Sequence, residues 1–445
     1  MKLKEIRLKH NNKKLELTLD TDVGLLEVAT SFVRNSATYF GLGKKEAMSL
    51  ELASEEIFSY MSNLFMSDAE MKIVYTDCSY FTQIDFYFRT SSLNLRSFNL
   101  TESVSLDDEE SLKEMGLLIA SHQVDKFKLS EMRDGNIKLA LKKEKKYPRT
   151  EKEGAKAISL RGSLSVFTPG DEELKDFLQD VVSFYKEQDV PEFLFYPGKV
   201  LDMVANNECN VALLRDKKSL IAGGIIWCWN EEKTVECLGP YLFDEKKDAK
   251  DAFKLLDTCI SDIGRSPIVC LLKRYPEITN VESNFEKLGN LFLYSNNNER
   301  TKKPVYFRQI REDLGTLVWC HSSFEEFLEE EYSRLVLPRE IKLVRNVGEK
   351  RAEFSVLSVE FNRVTNSATL NPVCTGEDIE TNLKKHLQLF QKEKLPNVFF
   401  NMDLGISWHT DFAEALIKLG FKPELIIPYA GERDLLIFQL DRELK

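Results

Sequence analysis

The chain has 445 residues, enough for about three domains that each bury a core of their own. Hydrophobic residues make up 43% and charged residues 30%, a balance that excludes dominant disorder and a disulfide-held miniprotein. The formal charge of −11 argues against nucleic acid or an anionic membrane as the main partner and for proteins or small ligands.

The stretch MKLKEIRLKHNNKKLELTL lacks the apolar segment of a signal peptide, and no apolar run reaches the roughly 18 residues of a membrane span. The cytoplasm is therefore the expected compartment. Eight cysteines (Cys78, Cys209, Cys228, Cys237, Cys259, Cys270, Cys320, Cys374) are scattered without a C-x-x-C pair and read as buried, reduced thiols. His10, His122, His321, His386 and His409 are equally dispersed, so no metal site is expected.

Residues 5–19 alternate apolar and polar side chains, which predicts a strand. Helical spacing follows over 24–39 and 44–64, on either side of the Gly41-Leu42-Gly43 break. Strands are expected at 73–74, 84–88 and 137–141 and a third helix at 110–124, together an α+β sandwich over 1–146. The charge run KKEKKYPRTEKEGAK reads as a solvated linker, centred on 147–157.

Beyond it, two stretches, 158–311 and 315–441, repeat one order of signals: strand, acidic helix, two-strand meander, helix, buried strand, helix ending in Leu-Gly, final strand. Pro240 and Pro372, Ile268 and Val398, and Gly289 and Gly420 lie about 132, 130 and 131 residues apart, so three landmarks support a duplication.

GLGKKEAMSLELASEEIF, EMGLLIASHQVDKF and DGNIKLALKK, with the alternating first strand, resemble the anti-sigma-factor serine kinase branch of the GHKL (Bergerat-fold) ATPases across 1–146. That resemblance implies a catalytic Glu, whose position Glu56 takes, and an Asn four residues on that holds Mg²⁺. Tyr60 stands there instead, and a phenol is a poor ligand for a hard cation. The Asp-x-Gly box that would recognise adenine is replaced by Arg89-Thr90-Ser91, leaving the adenine donor unpaired at a cost of about 1–3 kcal/mol. Only Gly116 remains of a glycine-rich lid. The expectation is a GHKL-like fold without ATP chemistry, in which Glu56 is a helix-surface carboxylate.

Each later half resembles a GNAT (GCN5-related N-acetyltransferase) module, most clearly in VECLGPYLF and FAEALIKLGFKPELI. The resemblance implies acetyl-CoA, its pyrophosphate held at the turn into the central helix. In the first copy the residues so placed are Leu242, Phe243, Lys246, Lys247 and Lys250; in the second the turn is 374–380. Asp244, Glu245, Asp248 and Asp251 share the first turn and would repel a pyrophosphate, while Gly376 alone reads as a loop residue. The family's tyrosine acid is Phe285 in one copy and Leu416 in the other. Glu236 and Glu360 read as outward strand carboxylates and Tyr241, Tyr294 and Tyr429 as core or rim aromatics. His409, beside Trp408, caps a helix or lines a cleft.

The expected architecture is thus α+β: a GHKL-like α/β sandwich followed by two GNAT-like mixed α/β modules. The expected function is that of a regulatory or interaction protein with a protein partner of the sigma-factor or anti-sigma-antagonist type. The alternative is an acyl-CoA-dependent N-acyltransferase using the first GNAT-like half.

Overall fold

A computed structural model of the chain describes residues 13–65, 69–89, 99, 120, 122–131, 137–152, 163–229, 231–244, 249–275, 282–295, 299–345, 348, 351–362 and 365–441. They divide into two compact units. One comprises 1–146 with 350–359 and 371–389; the other comprises 147–349, 360–370 and 390–445.

In the first unit, β1 (Lys14–Asp20), β2 (Glu70–Asp77), β3 (Phe81–Phe88), β4 (Lys126–Glu131) and β5 (Ile137–Glu144) form an antiparallel sheet in the order β1-β2-β3-β5-β4. Two helices, α1 (Leu26–Tyr39) and α2 (Lys44–Phe65), share its core. Ala29, Val33 and Ala37 of α1 and Leu50, Ala53, Ile57 and Met61 of α2 recur at three- and four-residue spacing, which puts them on single faces. They meet Met71, Ile73 and Tyr75 of β2, Ile84, Phe86 and Phe88 of β3, and Leu139 and Leu141 of β5, each set alternating along its strand. Val356 belongs to the same core, with Val373 and Cys374 at its margin. The core is therefore completed from far along the chain. The helix expected at 110–124 falls mostly outside the described residues.

In the second unit, β6 (Ser165–Phe167), α3 (Asp171–Phe184), α4 (Pro197–Ala205), β7 (Cys209–Arg215), β8 (Ile221–Trp229), β9 (Thr234–Leu242), α5 (Ala249–Ile263), β10 (Cys270–Lys273), β11 (Glu286–Tyr294) and β12 (Arg300–Gln309) follow one another. Their sheet runs β11-β12-β10-β9-β8-β7-β6. The acidic first turn of α3, Asp171, Glu172 and Glu173, suits the positive end of the helix, and Glu173 accepts the Gly170 N–H at 2.9 Å. Leu174, Phe177, Leu178, Val181 and Val182 are its buried stripe.

The chain then builds β13 (Thr316–Cys320), α6 (Glu325–Arg334), β14 (Arg339–Leu343), β15 (Val356–Asn362), β16 (Ser367–Cys374), α7 (Ile379–Lys392), β17 (Asn397–Asp403), α8 (Ala413–Lys418), β18 (Phe421–Ile427) and β19 (Leu435–Leu440). The order β15-β16-β17-β19-β18 matches β8-β9-β10-β12-β11 strand for strand. In both series the second and third strands are parallel, joined by a long helix, and the remaining pairs after them are antiparallel. The two series thus share one topology, and the mixed α+β class is the one expected.

The copies part at their beginnings: β6 pairs antiparallel with β7, whereas β13 pairs parallel with β14. One landmark also differs in kind. Leu419-Gly420 follows α8, but Leu288-Gly289 lies inside β11, at the bulge between Lys287 and Gly289. One further expectation changes. Cys209 and Cys228 stand directly opposite each other on β7 and β8 and form a disulfide, while the other six cysteines are not disulfide-bonded. Sequence spacing could not reveal that pairing, because register is set by tertiary alignment. The described part of the charge run, exposed at Arg149 and Lys152, is tethered as well: Tyr147 donates to Asp202, Arg149 pairs with Glu187 and lies over Phe195, and Lys152 donates to the Tyr185 carbonyl. Among the described residues no helix is long and apolar enough to cross a membrane, and no cluster of metal-ligating side chains occurs.

Candidate functional site

Parallel strands joined by a crossover helix create a crevice at their carboxyl ends, where open α/β sheets bind ligands. In the first repeat β10 pairs with β9 only from Cys270↔Thr234 to Leu272↔Glu236, whereas β9 runs on to Leu242. Past Glu236 the β10-facing edge of β9 has no strand partner among the described residues. The register with β8 also slips between Gly224↔Tyr241 and Ile226↔Leu238, placing Gly239 and Pro240 in a bulge. Gly239 has φ 95°, a conformation that side chains with a Cβ resist.

Glu236 is not an outward carboxylate: it is 6% exposed and gripped by Arg274, with Nε to Oε1 at 2.8 Å and a second contact from Nη2 to Oε2. A bidentate guanidinium fixes a carboxylate as an ion and holds both of its oxygens. Glu236 raises the Arg274 pKa against an opposing push from burial, with smaller help from Tyr275 and Glu360. Nothing in residue spacing marked Arg274, because its partner is brought by the β9–β10 register.

Phe243 N–H bonds to Ala222 O on the β8 side, so the Leu242 N–H and C=O turn toward the open edge. Both are taken by one hydroxyl: Tyr185, just past α3, donates to Leu242 O at 2.7 Å and accepts from Leu242 N at 2.8 Å. Burial pushes the Tyr185 phenol up to about 12, so it stays protonated for this double role. Tyr185→Phe should leave both buried backbone groups unpaired and cost about 1–3 kcal/mol in denaturant titration. A loss below about 0.3 kcal/mol would show that the hydroxyl is dispensable. Beside it, Tyr241 is fully buried against Phe177 and Tyr185, and among the described residues its hydroxyl has no hydrogen-bond partner.

Of the positions implied for acetyl-CoA, Leu242 and Phe243 are buried with their side chains in the cores on opposite sheet faces. Lys250 begins α5 with Ala249, and Lys246 and Lys247 lie outside the described residues.

The second repeat's turn is filled by the chain itself. A Cβ on Gly376 would stand 2.2 Å from Ser355 N and 2.3 Å from the Phe354 carbonyl carbon, so the backbone of 354–355 lies directly on it. Asp378 Oδ1 accepts from Ser355 N at 2.6 Å and from Ser355 Oγ at 2.8 Å, and Glu377 N donates to Ala352 O. Gly376 is thus a close-approach glycine, with the chain's own backbone in the place of a ligand.

Elsewhere, Glu56 is half-buried on α2; burial and then the neighbouring Glu55 raise its pKa. Tyr60 packs against the core of its unit. Glu360 is exposed on β15. His409 is buried, and its Nδ1 accepts the Asp403 N–H at 3.1 Å, fixing the turn after β17. Tyr429 is a core residue that donates to Asp313.

No family model matches the chain, and no curated protein matches it. Solved structures similar to part of it include an N-acetyltransferase from Staphylococcus aureus Mu50, 14% identical, covering 34% of this chain and 100% of that one with a TM-score of 0.28. A GNAT superfamily phosphinothricin acetyltransferase from Sinorhizobium meliloti, in complex with AcCoA, is 10% identical over 33% of this chain and 88% of its own, with a TM-score of 0.28. An aminoglycoside 6'-acetyltransferase type Ii is 13% identical over 34% and 99%, with a TM-score of 0.27. Similarity of this size assigns no family, and the chemistry rests on the site itself.

Proposed function

We propose that this chain is a regulatory or interaction protein whose N-terminal unit and two repeats bind rather than catalyse, with a protein partner of the sigma-factor or anti-sigma-antagonist type. The observation that carries the reading is that both crossover clefts are closed by the chain's own groups. Tyr185 occupies the free edge of β9, and the 354–355 backbone occupies the turn before α7. The carboxylate best placed to serve as a base, Glu236, is held by Arg274. Acidic side chains around the first turn add an electrostatic cost for a pyrophosphate.

Acetyl-CoA titration by calorimetry, with an acyl-transfer assay against simple amines, tests this reading. The expected result is neither saturable submillimolar binding nor turnover. ATP should likewise fail to bind at micromolar concentration, given Tyr60 and Arg89 at the metal and adenine positions.

A second reading, N-acyltransfer in the first repeat with acetyl-CoA as donor, is favoured by one feature: the unpartnered Tyr241 hydroxyl lies among the residues packed with Leu238 and Phe243 at the end of β9. Transfer activity abolished by Glu236→Gln and reduced at least tenfold by Tyr241→Phe would establish it and overturn the first.

A further inference from the structure

Asn99 lies outside every predicted element, yet it is 2% exposed and its carboxamide is held on both its oxygen and its nitrogen by groups from two distant segments of the same unit. Its Oδ1 accepts from Leu357 N at 3.0 Å and from Asn382 Nδ2 at 3.0 Å. Its Nδ2 donates to Ser355 O at 2.8 Å. The orientation of the amide is fixed by these partners, since a backbone N–H must meet oxygen and a backbone carbonyl must meet nitrogen.

Ser355 O and Leu357 N are the pair of backbone groups that a strand edge offers to a neighbouring peptide. A side-chain amide has the same donor and acceptor as a peptide group, so Asn99 bonds β15 as an added strand would. The receptor is itself braced. Asn382 Nδ2 also donates to Ser355 O at 2.9 Å and reaches Ser355 Oγ at 3.1 Å, while Asp378 holds Ser355 N and Oγ. These bonds orient Ser355 O and Asn382 Nδ2, two of the three groups that meet the amide, and none of them is made by Asn99.

We propose that Ser355, Leu357 and Asn382 form a binding site for a primary carboxamide, which Asn99 occupies in cis, so that the hold of residue 99 on β15 is an intramolecular ligation that a separate carboxamide can replace. The 355–357 edge of β15 then has a displaceable occupant of defined chemistry. The inference does not depend on whether the first repeat transfers acyl groups.

The test is side-chain deletion with chemical rescue in the full chain. Asn99→Gly removes CH2CONH2, a space that acetamide fits. Hydrogen exchange of the peptide covering 354–358 should accelerate at least tenfold, while peptides covering β2 and β3 keep their protection. Millimolar to molar acetamide should restore protection at 354–358. Acetate should not, because it presents no N–H to the Ser355 carbonyl and places a charge beside it. Asn99→Ala provides the size control, with formamide rescuing better than acetamide. Unchanged exchange at 354–358, equal rescue by acetate, or no rescue by either amide would each overturn the proposal. A variant that loses protection throughout β2 and β3 would overturn it too, since Asn99 would then be a fold determinant rather than an exchangeable ligand; Asn99→Ser, with a smaller gap, is read by the same criteria.

Discussion

Replacing Arg339 with methionine should destabilise the second unit by about 3–5 kcal/mol, the cost of leaving buried charge without its counterion. The Arg339 side chain has no exposed surface and serves two carboxylates that are almost as deeply buried. Nη1 contacts Asp313 Oδ2 at 2.7 Å, while Nε and Nη2 contact Asp434 at 2.6 Å and 3.2 Å. Tyr429 donates through its hydroxyl to Asp313 and through its backbone to Asp434, and Gly315 N–H reaches Asp313 at 2.9 Å. Removing the cation strands two carboxylates at once. The denaturation midpoint of Arg339→Met should fall accordingly, and a triple variant that also carries Asp313→Asn and Asp434→Asn should recover most of the loss. A single-variant loss under about 1 kcal/mol would mean that the carboxylates find water, and the hub would not be dry.

The same hub gives a sign for acid behaviour. Burial pushes the Asp313 pKa up, but hydrogen bonds from Tyr429, Arg339 and Gly315, with the Arg339 charge, outweigh it and leave the pKa below its ordinary value. Its contribution is therefore present above the unfolded carboxylate range and lost as pH falls through the lower, folded value. His386 in the first unit adds an earlier loss. Burial lowers it to about 4, against the backbone contact with Asn382 and helped by Lys385, so stability drains as pH falls from about 6.5 toward that value. Protection of α7 amides should decline across that interval, before the second unit responds; a flat profile from pH 7 to 4 would contradict the assignment.

The second large effect is expected at Gly376. A methyl group there would meet backbone atoms at 2.2 Å and 2.3 Å, which no rotamer change can relieve. Gly376→Ala should force the 352–355 segment off the start of α7, costing about 1–3 kcal/mol or more through overpacking and lost hydrogen bonds. Hydrogen exchange at 354–358 and the thermal midpoint of the first unit report it together. If the variant keeps both, the close approach is soft. Gly348, which has open space around it, is the matched control, although its φ of 83° adds local strain of its own.

The sequence by itself determined the parts of this protein that depend on local periodicity. The stripes of α1, α2, α3 and α5, the strands β2, β3 and β5 and the spacing of the two repeats all follow from which side chains must leave water on one face. Only the tertiary structure decided what each polar group faces. Arg274 reaches Glu236 through the β9–β10 register, Cys209 meets Cys228 through the β7–β8 register, and Tyr185 meets Leu242 from a different layer. Asn99, Ser355 and Asn382 converge across more than 250 residues of chain. A hydrophobic pattern specifies a face, because burial is non-directional and sums over many residues; a hydrogen bond specifies one atom, and which atom arrives is settled only when strands from distant parts of the chain are aligned.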